Sequence, residues 1–280
     1  MIKQNPFSVY DFLGYLIPGS LFIYCFLIID YLKKNNNYEI KNILSEINSV
    51  GYENIFFFII ISYSLGHILS FSSSVTVEKY ANWKYDFPSK YLLNFEYKGY
   101  WNKKLKLKSI MWRFFLLPIL FPCAFLDYLI GNLFGFKKFY TSSVDVFLEK
   151  VIKYKVDKLL DKLKLGEIND IKEFKDGKAK KYDFHRLITH YAYENSKNHQ
   201  GKMSNYVALY GFLRNLCFIF NFLTIYFFLR VCLFLKFDLV NTITLIILSI
   251  LTYISFMAFM KFYRRYTLEG FMVIAIDKNL

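Results

Sequence analysis

Long uncharged runs, separated by charged segments, organise this chain of 280 residues. Residues 12–29 carry no charged side chain, residues 54–77 are interrupted only by His67, and residues 239–260 contain no Asp, Glu, Lys, Arg or His. A helix needs roughly 20 apolar residues to cross a hydrocarbon layer about 30 Å thick, so each run is long enough to span a membrane. The pattern predicts four transmembrane helices, at about 11–31, 54–74, 208–235 and 239–260.

The third of these predicted spans is framed by two arginines. Arg214 and Arg230 enclose 15 uncharged residues, and the 16 helical steps between them cover about 24 Å. The two side chains could therefore extend to opposite membrane interfaces. Alternatively, Arg214 faces a wet interior together with Asn221, which lies seven residues further on the same helix face.

A shorter apolar stretch at 114–126 contains Pro118 and Pro122. Lysines lie on both sides of it, which disfavours a single membrane crossing. The stretch is therefore expected to be a re-entrant or interfacial segment, or a buried piece of a cytoplasmic domain. The flanking lysines are Lys103, Lys104, Lys106 and Lys108 before it, and Lys137 and Lys138 after it.

Positive charge is concentrated between the two pairs of spans. Residues 75–203 carry 25 lysines and arginines against 14 acids, a net charge of +11 out of +14 for the whole chain. Because positively charged loops stay in the cytoplasm, the basic centre and both termini are expected there. The predicted organisation is an N-terminal transmembrane hairpin at 1–74, a basic cytoplasmic domain at 75–205 and a C-terminal transmembrane hairpin at 206–280. The residues with AT-rich codons are frequent, which suggests a bacterial source and hence the inner membrane.

Helical periodicity continues into the basic domain. Phe147, Val151, Leu159 and Leu163 recur at helical spacing, with lysines that include Lys150 and Lys153 on the other face. A second helix is predicted over 183–197. The whole chain is therefore predicted to be an all-α integral membrane protein with four transmembrane helices and a basic helical cytoplasmic domain.

Small and polar residues recur every fourth position in the second span, as a ladder of Ser62, Gly66, Ser70 and Ser74 with His67 beside it. Residues four apart share a helix face. Such a face usually packs closely against another helix, but hydroxyls and an ionisable group can also line a hydrated path. Both interpretations stay open, and the residues that would line a pore or gate are Ser62, Gly66, His67, Ser70, Arg214 and Asn221.

Aromatic residues alternate with lysines over 80–108. This mixture is typical of a membrane headgroup layer, and also of a site for single-stranded nucleic acid, where bases stack on rings and lysines follow phosphates. A basic surface attracts polyanions over long range. The residues predicted to bind an anionic ligand are Lys103, Lys104, Lys106, Lys108, Lys150, Lys153 and Arg186.

The sequence contains none of the common catalytic or metal-binding motifs. Around His185, His190 and His199 there is no H-E-x-x-H or C-x-x-C spacing, and the chain contains no Walker loop or G-x-S-x-G. The four cysteines lie singly in apolar segments. We therefore predict no catalytic residues, no metal and no cofactor; a membrane-bound nuclease that uses these histidines is the alternative.

The stretches YSLGHILS, HYAYENS and YGFLRN occur in this order between paired N- and C-terminal spans. In this layout the chain resembles the membrane effectors of the Hailong anti-phage defence system. The resemblance implies an oligomeric ion channel whose cytoplasmic part senses an oligonucleotide made by a partner enzyme and whose opening depolarises the infected cell. The expected partners are thus membrane lipid, further copies of the chain in a homo-oligomer such as a tetramer, and an anionic nucleotide or DNA oligomer. A scaffold without a channel, which binds lipid or a partner subunit, is the alternative.

Overall fold

The computed structural model of the chain describes residues 9–34, 52–95, 99–101, 106–163, 184–232 and 238–280. Within these ranges the protein is all-α and has no β-strand, which confirms the predicted helical class. Four helical stretches are long and apolar enough to cross a membrane, as the uncharged runs predict. They are Phe12–Asp30, Asn54–Tyr91, Lys197–Cys232 and Leu239–Ile276.

The helices are numbered in chain order. They are α1 (Val9–Asp11), α2 (Ile17–Lys34), α3 (Tyr52–Ser73), α4 (Lys79–Tyr85), α5 (Pro88–Tyr91), α6 (Leu107–Ile119), α7 (Phe121–Leu126), α8 (Lys138–Thr141), α9 (Val146–Lys162), α10 (Phe184–Asn195), α11 (Lys197–Cys232) and α12 (Leu239–Ile276). Three π-helical segments, in which the backbone hydrogen bonds span five residues and not four, adjoin some of these helices. These are Phe12–Leu16, Ser74–Glu78 and Asp127–Leu133.

The two last helices, α11 and α12, pack against each other and are much longer than a membrane requires. With 36 and 38 residues they measure about 54 and 57 Å, against roughly 30 Å for a hydrocarbon core. Each helix therefore has about 25 Å to spare for contacts outside the membrane. We use the term domain end for the end of the four-span bundle at which the basic segment lies.

The basic segment folds around the last turns of α12. Phe271 and Ile274 of α12 are buried in one apolar core with Ile152 and Val156 of α9 and Ile188 of α10. The buried face of α9 differs from the predicted one, because Phe147 is 76% exposed although it belongs to the predicted apolar stripe. Since this core is built on α12 itself, the domain is joined to the spans by a continuous helix.

The proline-containing stretch at 114–126 is a bend between two helices. Leu107–Ile119 and the following helix over Phe121–Leu133 meet at an angle of 92°. The bend lies at Leu120, between Pro118 and Pro122, whose rings remove backbone donors. This geometry is that of a broken span or a re-entrant loop.

Candidate functional site

The small-residue ladder of α3 packs against the first span. A β-carbon built on Gly66 would lie 2.0 Å from the carbonyl oxygen of Tyr15, and one built on Gly19 would lie 1.8 Å from the carbonyl oxygen of Ser62. Two helix backbones can approach this closely only where both lack side-chain bulk. In the single chain, the Ser62–Gly66 part of the ladder is therefore a helix–helix contact.

His67 lies beside this contact and is exposed. Its imidazole stacks on the ring of Tyr15, with centroids 3.8 Å apart, and meets the edge of the Tyr63 ring at 4.7 Å. Of the ladder segment, His67 is thus the ionisable group that the packed hairpin leaves accessible. Its predicted role in a pore or gate stays a prediction.

Arg214 of α11 is buried at the domain end and joins the second span to the third. Its Nε donates to the Ser73 hydroxyl at 3.0 Å, and its Nη2 lies 3.2 Å from both the carbonyl and the hydroxyl oxygen of Ser70. Its Nη1 forms an ion pair with Glu78. Three sides of the guanidinium are therefore held by one stretch of the second helical span, so Arg214 is buried between helices of the chain.

Asn215, the next residue, extends the same network to the first span. Its Nδ2 donates to the carbonyl oxygen of Gly14 at 2.7 Å, and its Oδ1 accepts from the Ser73 hydroxyl at 2.5 Å. Gly14 lies in the π-helical segment Phe12–Leu16, and Glu78 ends the π-helical segment Ser74–Glu78. Such insertions leave backbone groups open and are frequent at functional sites. We call Gly14, Ser70, Ser73, Glu78, Arg214 and Asn215 the Arg214 network.

A second buried charge lies close to the domain end. Asp127, fully buried, accepts from Lys84 at 2.6 Å and from three tyrosine hydroxyls at 2.6–2.9 Å. The tyrosines are Tyr80, Tyr85 and Tyr140. A carboxylate with this many donors is fully compensated, so the cluster holds α4, α8 and the π-helical segment Asp127–Leu133 together.

Asn221 does not join the Arg214 network, although one of the two interpretations of the sequence placed both side chains in a shared wet interior. It is buried at the bend of the proline-containing helix pair, where it contacts the backbone of Ile119 and Cys123. Sequence reasoning also missed the main partners of Arg214. One signal was available for Glu78, because it is the first acid after the uncharged run of the second span.

The predicted ligand-binding residues are spread over three helices and a segment outside the described residues, where Lys103 and Lys104 lie. Lys106 and Lys108 are exposed at the start of α6, and Lys150 is exposed on α9. Lys153 pairs with Glu149 at 2.5 Å, and the hydrogen bonds from Lys153 and Asn94 outweigh desolvation and lower the pKa of that carboxyl. Arg186 is exposed on α10, which shares its apolar core with α9.

The histidines of the basic segment do not form a metal site in the described part of the chain, where no three ligand side chains of the usual types converge. His199 instead pairs with Glu269 at 2.6 Å, beside Lys202 at 2.7 Å from the same carboxylate. The prediction that the chain is not an enzyme stays untested by this arrangement.

Compared with models of known protein families, with curated proteins and with solved structures, the chain matches none.

Proposed function

We propose that the protein is a homo-oligomeric ion channel or pore, opened or closed by an anionic ligand such as an oligonucleotide at its basic segment. The observation that carries the proposal is the Arg214 network. It places a buried ion pair and two π-helical segments at a level where three spans meet, close to the basic segment. Ionisable groups buried among membrane helices are costly and usually serve a function.

The network supplies a physical route from ligand to spans. The apolar core of the basic segment is built on the last turns of α12, and α12 packs along α11, which carries Arg214. A ligand that binds one arrangement of the basic segment more tightly shifts the equilibrium toward that arrangement by its difference in affinity. Because the core includes α12, the shift also changes the position of α12 relative to α11. The shift then acts on the contacts of Arg214 with Ser70 and Glu78.

The conduction path of this proposal lies between copies of the chain. Ser62 and Gly66 are in close contact with the first span, so the ladder itself is closed within one chain. His67 is exposed next to it and is the side chain that can face a path between neighbouring copies. The role in anti-phage defence, the bacterial inner membrane and the cytoplasmic position of both termini follow from the resemblance and the charge pattern, and they stay predictions.

Flux from liposomes tests the proposal directly. The purified chain, reconstituted with a fluorescent reporter of ion flux, is titrated with short single-stranded DNA at several salt concentrations. We expect ligand-dependent flux, with an apparent affinity that falls steeply as salt rises because lysine–phosphate contacts release counterions. Lys150→Gln should weaken the response, whereas Lys197→Gln, an equal charge change elsewhere on the exposed surface, serves as the control.

Three outcomes would contradict the proposal. Absence of flux with every ligand, combined with retained lipid or partner binding, would favour the scaffold alternative. Cleavage of the added DNA, lost on joint substitution of His185, His190 and His199, would favour the nuclease. A response that does not change with salt would exclude lysine–phosphate recognition.

A further inference from the structure

The bend of the proline-containing helix pair is closed by a side chain from the third span. In an uninterrupted helix, the amide of Cys123 would donate to the carbonyl of Ile119, four residues earlier. Here both groups meet Asn221 of α11: its Nδ2 donates to the Ile119 carbonyl at 2.7 Å, and its Oδ1 accepts from the Cys123 amide at 3.1 Å. One carboxamide therefore satisfies both backbone groups at the bend, as hydrocarbon surroundings would require.

Each arm of the pair has one buried charged residue that contacts α4, and both contacts lie on the same turns of that helix. In the first arm, the Arg113 guanidinium lies over the Trp83 ring, 4.9 Å from its centroid. In the second arm, Asp127 is bound by Lys84 at 2.6 Å and by Tyr80 at 2.9 Å. Arms that are anchored on one short helix enter and leave on the same side, which fits a re-entrant hairpin and not a broken span.

The depth of the bend follows from its contacts along α11. Arg214 marks the domain end, and Asn221 lies seven residues or about 10 Å further along the helix. The ring of Phe121, just after the bend, lies 6.1 Å from that of Phe228, a further seven residues along α11 and so about 10 Å deeper still. The tip is thus level with the uncharged run between Arg214 and Arg230.

The outer face of the hairpin is apolar and exposed. No charged residue occurs between Arg113 and Asp127, whereas Lys106 and Lys108 are exposed at the start of the first arm, where phosphate headgroups would lie. The face continues that of α11 through the contact of Phe121 with Phe228, whose ring is itself exposed. Its large exposed side chains include Leu107, Met111, Phe114, Phe115, Phe121 and Phe125.

We propose that residues 107–133 form a re-entrant hairpin that inserts into the bilayer from the domain end, with lipid acyl chains covering its exposed face. Asn221 is the positioning residue that holds the tip at depth. The lysines at the start of the first arm meet anionic headgroups. This topology holds whether or not the protein conducts ions, so it is independent of the function proposed above.

Spin labels measure the depth of the hairpin in the full chain. The background is Cys25→Ala with Cys232→Ala, because the remaining Cys123 and Cys217 are fully buried and should not be labelled. Single nitroxide labels are placed at Phe121→Cys at the tip, Leu107→Cys at the base of the first arm, and Phe134→Cys after the second arm. Collision rates with oxygen and with a water-soluble nickel chelate are compared in nanodiscs of phosphatidylcholine and phosphatidylglycerol. Ile246→Cys on α12, exposed within the fourth apolar run, is the deep reference.

We expect the label at Phe121 to be accessible to oxygen and protected from nickel, as at Ile246. The labels at Leu107 and Phe134 should both report headgroup depth and should both react with an impermeant reagent from the same side. Nickel access to the Phe121 label equal to that of the two base labels would overturn insertion. Reaction of the two base labels from opposite sides would overturn the re-entrant topology in favour of a fifth span.

Asn221→Leu, similar in size but without hydrogen-bonding groups, tests the positioning role. In this variant the Phe121 label should move toward the depth of the base labels, whereas Phe222→Leu, an exposed neighbour on α11, should leave it unchanged. An unchanged depth in Asn221→Leu would remove Asn221 from the proposal. Because the labels at Leu107, Phe121 and Phe134 replace exposed residues, the insertion test does not depend on the folding of this variant.

Discussion

Gly66→Ala measures how closely the first two spans pack. The added β-carbon would lie 2.0 Å from the Tyr15 carbonyl oxygen, whereas ordinary contact begins at 3.4 Å, so the helices must separate by about 1.4 Å. The obstacle is backbone, which cannot rotate away as a side chain can. Overpacking of this kind costs about 1–3 kcal/mol, and we expect a value near the upper end of that range.

The measurement is the free energy of unfolding in bicelles, by steric trapping or by titration with dodecyl sulfate. Gly201→Ala in α11 is the matched control, because a β-carbon there would meet nothing within 4 Å. Alanine is favoured over glycine in a helix by up to about 1 kcal/mol, so the control should be stabilised. The same substitution is thus expected to have opposite signs at the two positions.

A Gly66→Ala protein as stable as the wild type, or stabilised like Gly201→Ala, would refute the close backbone contact. Gly19→Ala should be destabilising as well, since its β-carbon would lie 1.8 Å from the Ser62 carbonyl oxygen. The double variant Gly19→Ala/Gly66→Ala should lose less unfolding free energy than the sum of the two single losses, because one separation of the helices accommodates both methyl groups. Full additivity would show that the two glycines act at independent contacts.

Three further predictions concern ionisable side chains. Arg214→Met should cost about 3 kcal/mol of unfolding free energy by leaving Glu78 unpaired, and adding Glu78→Gln should restore part of it; strictly additive losses would contradict the pair. His67→Ala should alter ion flux while the unfolding free energy changes by less than about 1 kcal/mol, as expected outside a packed core; unchanged flux would remove His67 from the path. The hydrogen bond from Tyr191, at 2.5 Å, lowers the pKa of Asp277, so this contact stabilises the fold above the unfolded pKa near 3.8 and is lost as the pH falls through the lower folded pKa. Tyr191→Phe should therefore flatten the loss of thermal stability below about pH 4, and an unchanged acid slope would contradict this.

The existence of the four apolar helices was predictable, but their ends were not. The uncharged run of the fourth span stops at Lys261, yet α12 continues to Ile276. Charges mark where a helix leaves hydrocarbon, and a helix that packs on other helices can continue through water. For the same reason α11 begins at Lys197, eleven residues before the predicted start of the third span.

The buried face of α9 shows a second limit of periodicity. Apolar residues on that helix are frequent enough to form two overlapping stripes, and the stripe with Phe147 and Leu163 was the one predicted. The structure buries Leu159, as predicted, but together with Ile152 and Val156, and it leaves Phe147 and Leu163 exposed. The choice between the stripes depends on where α10 and α12 lie, and no local pattern encodes that.

The sequence by itself determined the class of the protein and its main polar irregularities. A bilayer imposes a length and a polarity on every crossing helix, so uncharged runs are visible in one dimension. The same constraint makes Arg214, His67 and Asn221 conspicuous, because polar groups are rare in such runs. Only the tertiary structure decided what each of them contacts.

Those contacts depend on the rotation and depth of helices that are far apart in the chain. Arg214 meets Glu78 across 136 positions, and Asn221 meets Ile119 across 102. Both asparagine and arginine have several possible partners at the sequence level, because any serine, carbonyl or acid at the same depth would satisfy them. Burial among packed helices narrows this choice, since each buried polar group must find its partners within hydrogen-bonding distance.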